Sequence, residues 1–322
     1  MPARKWIAAL AVAAAFALPA AQAAERFPDK PIRLIIGSAP GSGPDIIARL
    51  VADHLYGVWN QRVVVDSRPG VAGVISAELA LRANPDGYTW MMLTSQLFVA
   101  TSVYPNLKFN LDKDFVSIGL IGTVPFVQMV HPQLPVRSIA DLIALAKQQP
   151  GKLRYGSAGT GASEHLSGVL FTRSTGTEML HVPYKGVAQA IADTLSNEVQ
   201  LTYAVYPAAR PHVEGGRLRA IGVTTPKRSP ALPDVPAIAE AVPGYAMFGW
   251  YSIVAPLGTP NAILAKVSAE VVRATQQPAF AERLKFLGIE VVGGDRRVLD
   301  AFRSNERKRI TALVKGAGIK LQ

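Results

Sequence analysis

One stretch near the start of the chain constrains the fold more than any other. An almost unbroken apolar segment at Ile32–Ile36 leads into a turn rich in glycine, serine and proline at 37–45, and apolar residues then recur at helical spacing up to Leu55. An unbroken apolar run indicates a strand that is covered on both faces of a parallel sheet. The stretch therefore predicts a strand, a tight glycine turn and the start of a helix.

Such a turn suits a carboxylate or a phosphate oxygen. Several backbone N–H groups are left unpaired at the positive end of the helix dipole, and small residues let a ligand approach them. The turn has neither Gly-x-Gly-x-x-Gly nor the Gly-Lys-Ser/Thr ending of a nucleotide site. On this spacing alone, a plain strand-to-helix loop is an equal alternative.

The first residues predict export. Arg4-Lys5 precedes an apolar run at 6–18, and Ala21-x-Ala23 follows as a cleavage site. The run is shorter than the roughly 20 residues that a membrane-spanning helix needs. We expect residues 1–23 to be a signal peptide. The chain has no cysteine, so neither a lipid anchor at the cleavage site nor a disulfide is available.

The formal net charge is +11, but the cationic side chains are scattered along the sequence. The densest group, at 303–309, is interrupted by Glu306. This pattern argues against a nucleic-acid surface and favours a mild field that attracts small anions. Length and a hydrophobic content of 49% are sufficient for about two domains, each with its own core.

Predicted strands and helices alternate, which indicates an α/β fold with parallel sheets. The strands are expected at 32–36, 63–65, 89–93, 115–121, 126–130, 153–155, 180–182, 199–203, 218–223 and 250–256. The helices are expected at 46–55, 75–82, 139–148, 164–172, 189–196, 259–276, 279–287 and 297–314.

The strand, glycine turn and helix recur at 153–166, where the turn spans 156–163. Two such units in different lobes would offer backbone donors from both sides of a cleft to an anionic ligand. The alternative is that both are ordinary loops. No convincing helix leads into the strand at 115–121, which we interpret as a crossing to a second lobe. The strand at 250–256 returns the chain, and the two crossings form a hinge. The predicted lobes are 24–120 with 251–322, and 121–250.

The chain as a whole resembles a known family. The shared motifs are Phe27-Pro28-Asp29-Lys30-Pro31-Ile32-Arg33, Ala39-Pro40-Gly41-x-Gly43-x-Asp45, Arg68-Pro69-Gly70, Pro85-Asp86-Gly87-Tyr88-Thr89, His181-Val182-Pro183-Tyr184-Lys185-Gly186, 227–236 (KRSPALPDVP) and Ala255-Pro256-x-Gly258-Thr259-Pro260. These are similar to the Bug family, the periplasmic receptors of tripartite tricarboxylate transporters. The resemblance implies a monomeric two-lobed periplasmic binding protein of the type II-like, Venus flytrap kind. It also implies a small carboxylate ligand that is handed to a permease of two integral membrane subunits.

The resemblance further implies that the two glycine turns hold the ligand, partly through waters, and it implies no cofactor and no metal. The predicted ligand-binding residues are Ser38, Ala39, Gly41, Ser42, Gly43, Asp45, Ser95, Gln96, Ser157, Gly159, Thr160, Gly161, Ala162, Ser163, Tyr184, Lys185 and Ala204.

Three segments depart from the family pattern. Gly41-Ser42-Gly43-Pro44 replaces a triple glycine, and Gly70-Val71-Ala72-Gly73 replaces Gly-Ala-Gly-Gly; both changes narrow the cleft mouth. Ala204-Val205 stands where many members have Asp-Asn, which removes a counter-charge for a ligand ammonium. We expect a mono- or dicarboxylate without an amino group, with an aromatic body as one option. Four aromatic residues are expected near the cleft, although aromatic residues in such strands more often belong to the core. They are Phe98, Tyr203, Tyr206 and Trp250.

An enzyme is the rival class, and the sequence does not favour it. Gly-x-Ser-x-Gly is absent, and none of the five histidines has metal-ligand spacing. A third class is a periplasmic sensor that binds the same ligands and signals to a membrane kinase. The sequence does not separate transport from sensing.

Overall fold

The computed structural model describes residues 27–104 and 106–316. The predicted signal peptide at 1–23 and its cleavage site lie outside the described residues. Within them, no helix is long and apolar enough to cross a membrane.

Ten strands are present in the described part of the chain, and most coincide with the predicted ones. They are β1 (Ile32–Ile36), β2 (Val63–Ser67), β3 (Thr89–Thr94), β4 (Phe115–Val130), β5 (Arg154–Ser157), β6 (Leu180–Pro183), β7 (Leu201–Val205), β8 (Arg219–Val223), β9 (Phe248–Pro256) and β10 (Glu290–Gly294).

Helices connect most of the strands, as predicted for an α/β fold. They are α1 (Gly43–Trp59), α2 (Val74–Leu81), α3 (Ser95–Val103), α4 (Leu111–Asp114), α5 (Ile139–Gln148), α6 (Ser163–Thr175), α7 (Val187–Leu195), α8 (Tyr206–Glu214), α9 (Ile238–Ala241), α10 (Asn261–Gln276), α11 (Pro278–Phe286) and α12 (Arg296–Gly316).

The sheet contains two parallel triplets that are separated by two long antiparallel strands. Its order is β2-β1-β3-β9-β4-β7-β5-β6, and β8 and β10 also pair with β4. Strands β2-β1-β3 are parallel to one another, and so are β7-β5-β6. In each triplet the central strand, β1 or β5, is the strand that leads into a glycine turn. Both turns therefore lie at the carboxyl end of a central parallel strand, where ligands bind in open α/β sheets.

Strand β4 belongs to both halves of the sheet. From Phe115 to Pro125 it pairs with β9, and from Phe126 to Val130 it pairs with β7. The prediction of separate strands at 115–121 and 126–130 was wrong, because pairing continues without a break through Pro125. The change of partner lies slightly after the expected lobe boundary at 120–121, and the residue bounds of the lobes stay a prediction.

Five elements had no predicted counterpart, and two of them are the one-turn helices α4 and α9. Helix α4 leads directly into β4, where no helix was predicted. Helix α3 is buried on several sides, so its sequence has no amphipathic period. Helix α8 contains Pro207 near its start and Pro211 inside it, and proline argues against a helix. Strand β10 is short, largely exposed and ends in two glycines.

The core covers both faces of the sheet. Trp90 and Trp250 are among its largest fully buried side chains. A smaller group, the three-helix cluster, joins α3, α6 and α12 and consists of Val99, Val103, Leu166, Met247, Ile310, Leu313 and Val314. This cluster packs the C-terminal helix against helices from both halves of the sheet.

Candidate functional site: two equivalent glycine turns

The first glycine turn lies between β1 and α1. Gly41 has a φ of 80°, in the left-handed region that favours glycine. Its N–H donates to Oδ2 of Asp45 at 2.9 Å, and the N–H of Ser42 donates to the carbonyl of Ala39 at 3.2 Å. Helix α1 then begins at Gly43, and no side chain caps it. The first N–H groups of α1 are therefore available to an acceptor from outside the helix.

Asp45 fixes the shape of this turn. Only 3% of the residue is exposed, and its Oδ2 also accepts from Nε of Arg49, one helical turn along α1, at 2.9 Å. Burial alone would raise the pKa of Asp45, but the hydrogen bonds from Arg49 and from the Gly41 N–H outweigh burial and lower that pKa. Asp45 is therefore ionised at neutral pH, and Arg49 compensates its charge.

The second glycine turn, between β5 and α6, has the same hydrogen-bond pattern. Gly161 also has a φ of 80°. Its N–H donates to Nδ1 of His165 at 3.0 Å, and the N–H of Ala162 donates to the carbonyl of Gly159 at 3.1 Å. Helix α6 begins at Ser163 without a side-chain cap. In both turns a left-handed glycine donates to an acceptor four residues later, and an uncapped helix begins between the two.

The second turn contacts the first half of the molecule. A Cβ placed on Gly161 would lie 2.7 Å from Cγ1 of Val103, so the turn packs directly against the end of α3. Helix α3 follows β3, in the first parallel triplet, and it begins at the predicted site residue Ser95. The structure therefore brings the second turn into contact with an element of the opposite half of the sheet.

A group of rings supports the second turn. The imidazoles of His165 and His181 stack with centroids 3.9 Å apart, and Tyr155 lies beside both. Nε2 of His181 is 2.6 Å from Oγ of Ser157. Burial lowers the pKa of His165 to about 4; burial, followed by the proximity of His165, lowers that of His181 to about 4. Sequence reasoning missed this pair, because no local spacing connects the two histidines.

We expect these histidines to make the protein less stable in acid. Each has a folded pKa of about 4 and an ordinary value of 6.5, so the stabilisation is complete above pH 6.5 and is lost as the pH falls toward 4. Glu164 has the opposite effect on the pH dependence of stability. Burial raises its pKa to about 7, so folding favours its protonated form and its contribution to stability grows as the pH falls. The pKa of Tyr155 is raised by burial, so that ring stays neutral throughout. Urea unfolding at pH 7.5 and 5.5 measures the net change.

A matched variant isolates the contribution of His165. Asparagine at this position, as in His165→Asn, keeps an acceptor four residues after Gly161, as Asp45 does for Gly41, but it does not titrate. We expect His165→Asn to lose less stability than the wild type between pH 7.5 and 5.5. Equal losses in the two proteins would contradict a role for His165 in the pH dependence.

Buried polar atoms without a partner are concentrated at the two turns. Among the residues that the structure describes, six buried side-chain atoms make no hydrogen bond, and three of them are Ser38 Oγ, Asp45 Oδ1 and Ser163 Oγ. Buried polar groups are normally paired with protein or with ordered water. These three atoms therefore suit a ligand or bridging waters at the turns.

Tyr251 is a neighbour of the first turn that the sequence did not reveal. A Cβ placed on Gly43 would lie 3.3 Å from its hydroxyl oxygen, so glycine at position 43 leaves that hydroxyl room beside the start of α1. Burial raises the pKa of Tyr251 to about 12, and the hydroxyl remains protonated and able to donate.

The remaining predicted site residues differ in their exposure to solvent. Ser95 is buried at the start of α3, and Gln96 beside it is exposed. The carbonyl of Tyr184 lies beside Gly159. Burial, followed by a hydrogen bond to Asp193, raises the pKa of Tyr184 to about 12. Lys185 and Thr160 are exposed.

Ala204 and the four candidate aromatic residues lie in the core. Ala204 is 0% exposed and faces Val127 across the β4–β7 pair, so its role toward a ligand stays a prediction. The ring residues that the sequence left between cleft and core are all buried: Phe98, Tyr203, Tyr206 and Trp250. None of these four side chains presents an exposed aromatic surface to a ligand in this conformation.

The chemistry of the arrangement is that of binding. The donors are mainly backbone N–H groups and hydroxyls, which suit a carboxylate. The described residues contain no group of three or more His, Asp or Glu side chains placed to hold a metal ion.

Comparisons with known proteins identify the family and the fold. A family model described as the tripartite tricarboxylate transporter family receptor matches residues 47–319. R. palustris Rpa4515, solved with adipate, is 35% identical with a TM-score of 0.82, over 91% of this chain and 99% of that one. The periplasmic binding protein BugD is 30% identical with a TM-score of 0.77, over 92% and 100%. MatC from Rhodopseudomonas palustris, solved with malate, is 27% identical with a TM-score of 0.76, over 89% and 100%.

The similarity extends over almost the whole of each chain and confirms the prediction of a two-lobed periplasmic binding fold. It also confirms the resemblance to the Bug family that the sequence motifs indicated. The chain belongs to the tripartite tricarboxylate transporter family of receptors, the TctC family.

Proposed function

We propose that this protein binds a small carboxylate between its two glycine turns and delivers it to a tripartite tricarboxylate transporter permease. The observation that carries the proposal is the pair of equivalent turns, each with an uncapped helix start and with buried polar atoms that lack a partner. Two sets of N–H donors at positive helix ends suit the oxygens of a carboxylate. The adipate and malate in the structures of Rpa4515 and MatC are both dicarboxylates.

The preferred ligand is a mono- or dicarboxylate without an amino group. A buried ammonium needs a carboxylate partner, and β7 ends in Ala204-Val205, with no charge to offer. Asp45, the one buried carboxylate of the first turn, is already paired with Arg49. Its unpartnered Oδ1 suits a water or a ligand hydroxyl.

A panel of ligands in a thermal-shift assay tests the proposal. We expect stabilisation by at least one of adipate, malate and benzoate, and none by glutamate or aspartate. Adipamide is the matched control for adipate, because it keeps the chain length and removes both charges. A ligand at about 100 times its Kd stabilises by about 2.7 kcal/mol. Stabilisation by the amino acids alone would contradict the proposed ligand class, and equal shifts with adipamide would contradict recognition of a carboxylate.

We also propose that residues 1–23 direct export to the periplasm. The basic start, the short apolar run and Ala21-x-Ala23 support this. Mass spectrometry of the exported protein should find a chain that begins at Ala24. A chain that still carries residues 1–23 would contradict cleavage at this position.

A sensing role is the alternative to transport, with the same cleft and ligand. A gene for the two permease subunits beside that of this protein would favour transport, and a gene for a sensor kinase would favour sensing. We propose no catalysis. Recovery of the bound carboxylate unchanged after prolonged incubation checks this point.

A further inference from the structure

A groove away from the glycine turns lies between α12 and the beginning of β4. It has a volume of about 510 Å³. Its apolar part is formed by Phe115, Val116 and Leu257. Leu257, directly after β9, is 60% exposed and so presents an apolar surface between charged side chains.

Cationic side chains surround this apolar part. Five of them line the groove against two carboxylates: Lys113, Arg296, Arg303, Arg307 and Lys308, against Asp112 and Asp300. The local charge is therefore positive, and it adds to a chain that is already basic.

The inner arginines are engaged within the protein. Arg303 donates to the carbonyls of Phe115 and Leu111, and Arg307 donates to Asp112 at 2.9 Å. Asp112 is thereby neutralised by two arginines. These interactions hold α12 against β4 and leave the binding of a partner to the outer cations.

The other three cations of the groove, Lys113, Arg296 and Lys308, are the outer cations, and they lack carboxylate partners. Lys113 and Lys308 form no ion pair within the described part of the chain, and Arg296 reaches only the amide oxygen of Asn261, at 3.3 Å. Arg296 and Lys308 are twelve residues apart on one helix, which corresponds to about 18 Å. A small carboxylate does not span that distance, whereas about six residues of extended polypeptide do.

We propose that this groove docks an acidic polypeptide segment of the membrane partner. The segment places an apolar side chain on Leu257, and its carboxylates face Lys113, Arg296 and Lys308. Charge complementarity of this kind steers association and sets the register of the two surfaces. The identity of the partner as a permease rests on the proposed function, but the chemistry of the segment rests on the groove alone.

The test uses a fluorescein-labelled ten-residue peptide in which glutamates flank a central leucine, and its glutamine counterpart. Fluorescence anisotropy with the full mature chain measures Kd at 25 and 250 mM NaCl. We expect the glutamine peptide to bind at least tenfold more weakly, and the glutamate peptide to weaken at high salt. The triple variant Lys113→Glu, Arg296→Glu, Lys308→Glu should lose at least tenfold in affinity for the glutamate peptide.

A matched control separates the groove from net charge. Lys147→Glu, Lys152→Glu and Lys227→Glu change the total charge by the same amount at exposed lysines in the other half of the molecule. We expect this control to lose less than threefold. Equal losses in the two triple variants, or no loss in the groove variant, would overturn the proposal. So would groove-dependent binding to phosphatidylglycerol vesicles without a preference for the acidic peptide, because the groove would then recognise a membrane surface.

The thermal shift with the carboxylate that the panel identifies distinguishes this inference from the proposed function. The groove variant should keep the wild-type response, which also shows that it is folded. A wild type that responds to no carboxylate but still binds the peptide would contradict the proposed ligand and leave the docking groove supported.

Discussion

Replacing Gly161 by alanine is expected to lower the free energy of unfolding by about 2 to 5 kcal/mol and to weaken carboxylate binding at least tenfold. A left-handed backbone costs an alanine about 1 to 2 kcal/mol. The added methyl would also lie 2.7 Å from Cγ1 of Val103, and crowding of this kind costs about 1 to 3 kcal/mol. The turn must then move, and its N–H donors move with it. Urea unfolding and calorimetric titration with the ligand identified by the panel measure both effects.

Gly176→Ala is the matched control. Gly176 caps the other end of α6 with a φ of 61°, and a methyl placed there meets no atom within 4 Å. We expect it to lose only about 1 to 2 kcal/mol, the strain of the backbone, and to keep its ligand affinity. In the double variant Gly161→Ala, Val103→Ala, the smaller side chain at position 103 leaves room for the added methyl at position 161. This variant should therefore regain part of the ligand affinity. If both glycine variants lost equal stability and kept full affinity, the contact with Val103 would have no importance for the site.

Replacing Asp45 by alanine is expected to cost about 2 to 3 kcal/mol at pH 7 and to weaken ligand binding. Charged hydrogen bonds contribute about 1.5 to 3 kcal/mol, and the change removes the acceptor of the Gly41 N–H and of Arg49. The pKa of Asp45 is lowered in the folded state, so its stabilisation is complete above its ordinary value of 3.8 and is lost as the pH falls through the folded pKa. The difference from the wild type should therefore shrink in strong acid.

Two controls define the role of Asp45. Asp53→Ala removes an exposed carboxylate from the same helix and should change stability by less than about 0.5 kcal/mol. Asp45→Asn keeps an acceptor for the Gly41 N–H but loses the charge, so it should have an intermediate effect and no titration in acid. If Asp45→Ala and Asp53→Ala behaved alike, the carboxylate would contribute only its general charge and not the shape of the turn.

The two strand–turn–helix units could be predicted because their signals are local. The apolar run of β1, the glycines and the helical spacing after Asp45 all lie within one short stretch. Helix α3 could not be predicted in the same way, since burial on several sides removes the amphipathic pattern. The continuity of β4 was also hidden, because Pro125 inside a strand normally indicates a break.

The same distinction between local and distant contacts applies to the site residues. The backbone donors of both turns follow from glycine positions, and the pairing of Asp45 with Arg49 could have been predicted from a spacing of four residues. The stack of His165 on His181 and the approach of Tyr251 to Gly43 depend on the packing of distant strands. For the same reason the burial of Phe98, Tyr203, Tyr206 and Trp250 was settled by the structure and not by the sequence.

The uninterrupted pairing of β4 on both sides of Pro125 has a mechanical consequence. Two halves that share a hydrogen-bonded strand move by bending that strand, since no flexible loop at this point absorbs the motion. A bent sheet acts as a spring, with small dihedral changes spread over many residues. If the halves close on a ligand, we expect part of the free energy of binding to be stored as strain in this strand. Release of that strain would then favour separation of the halves once the ligand leaves.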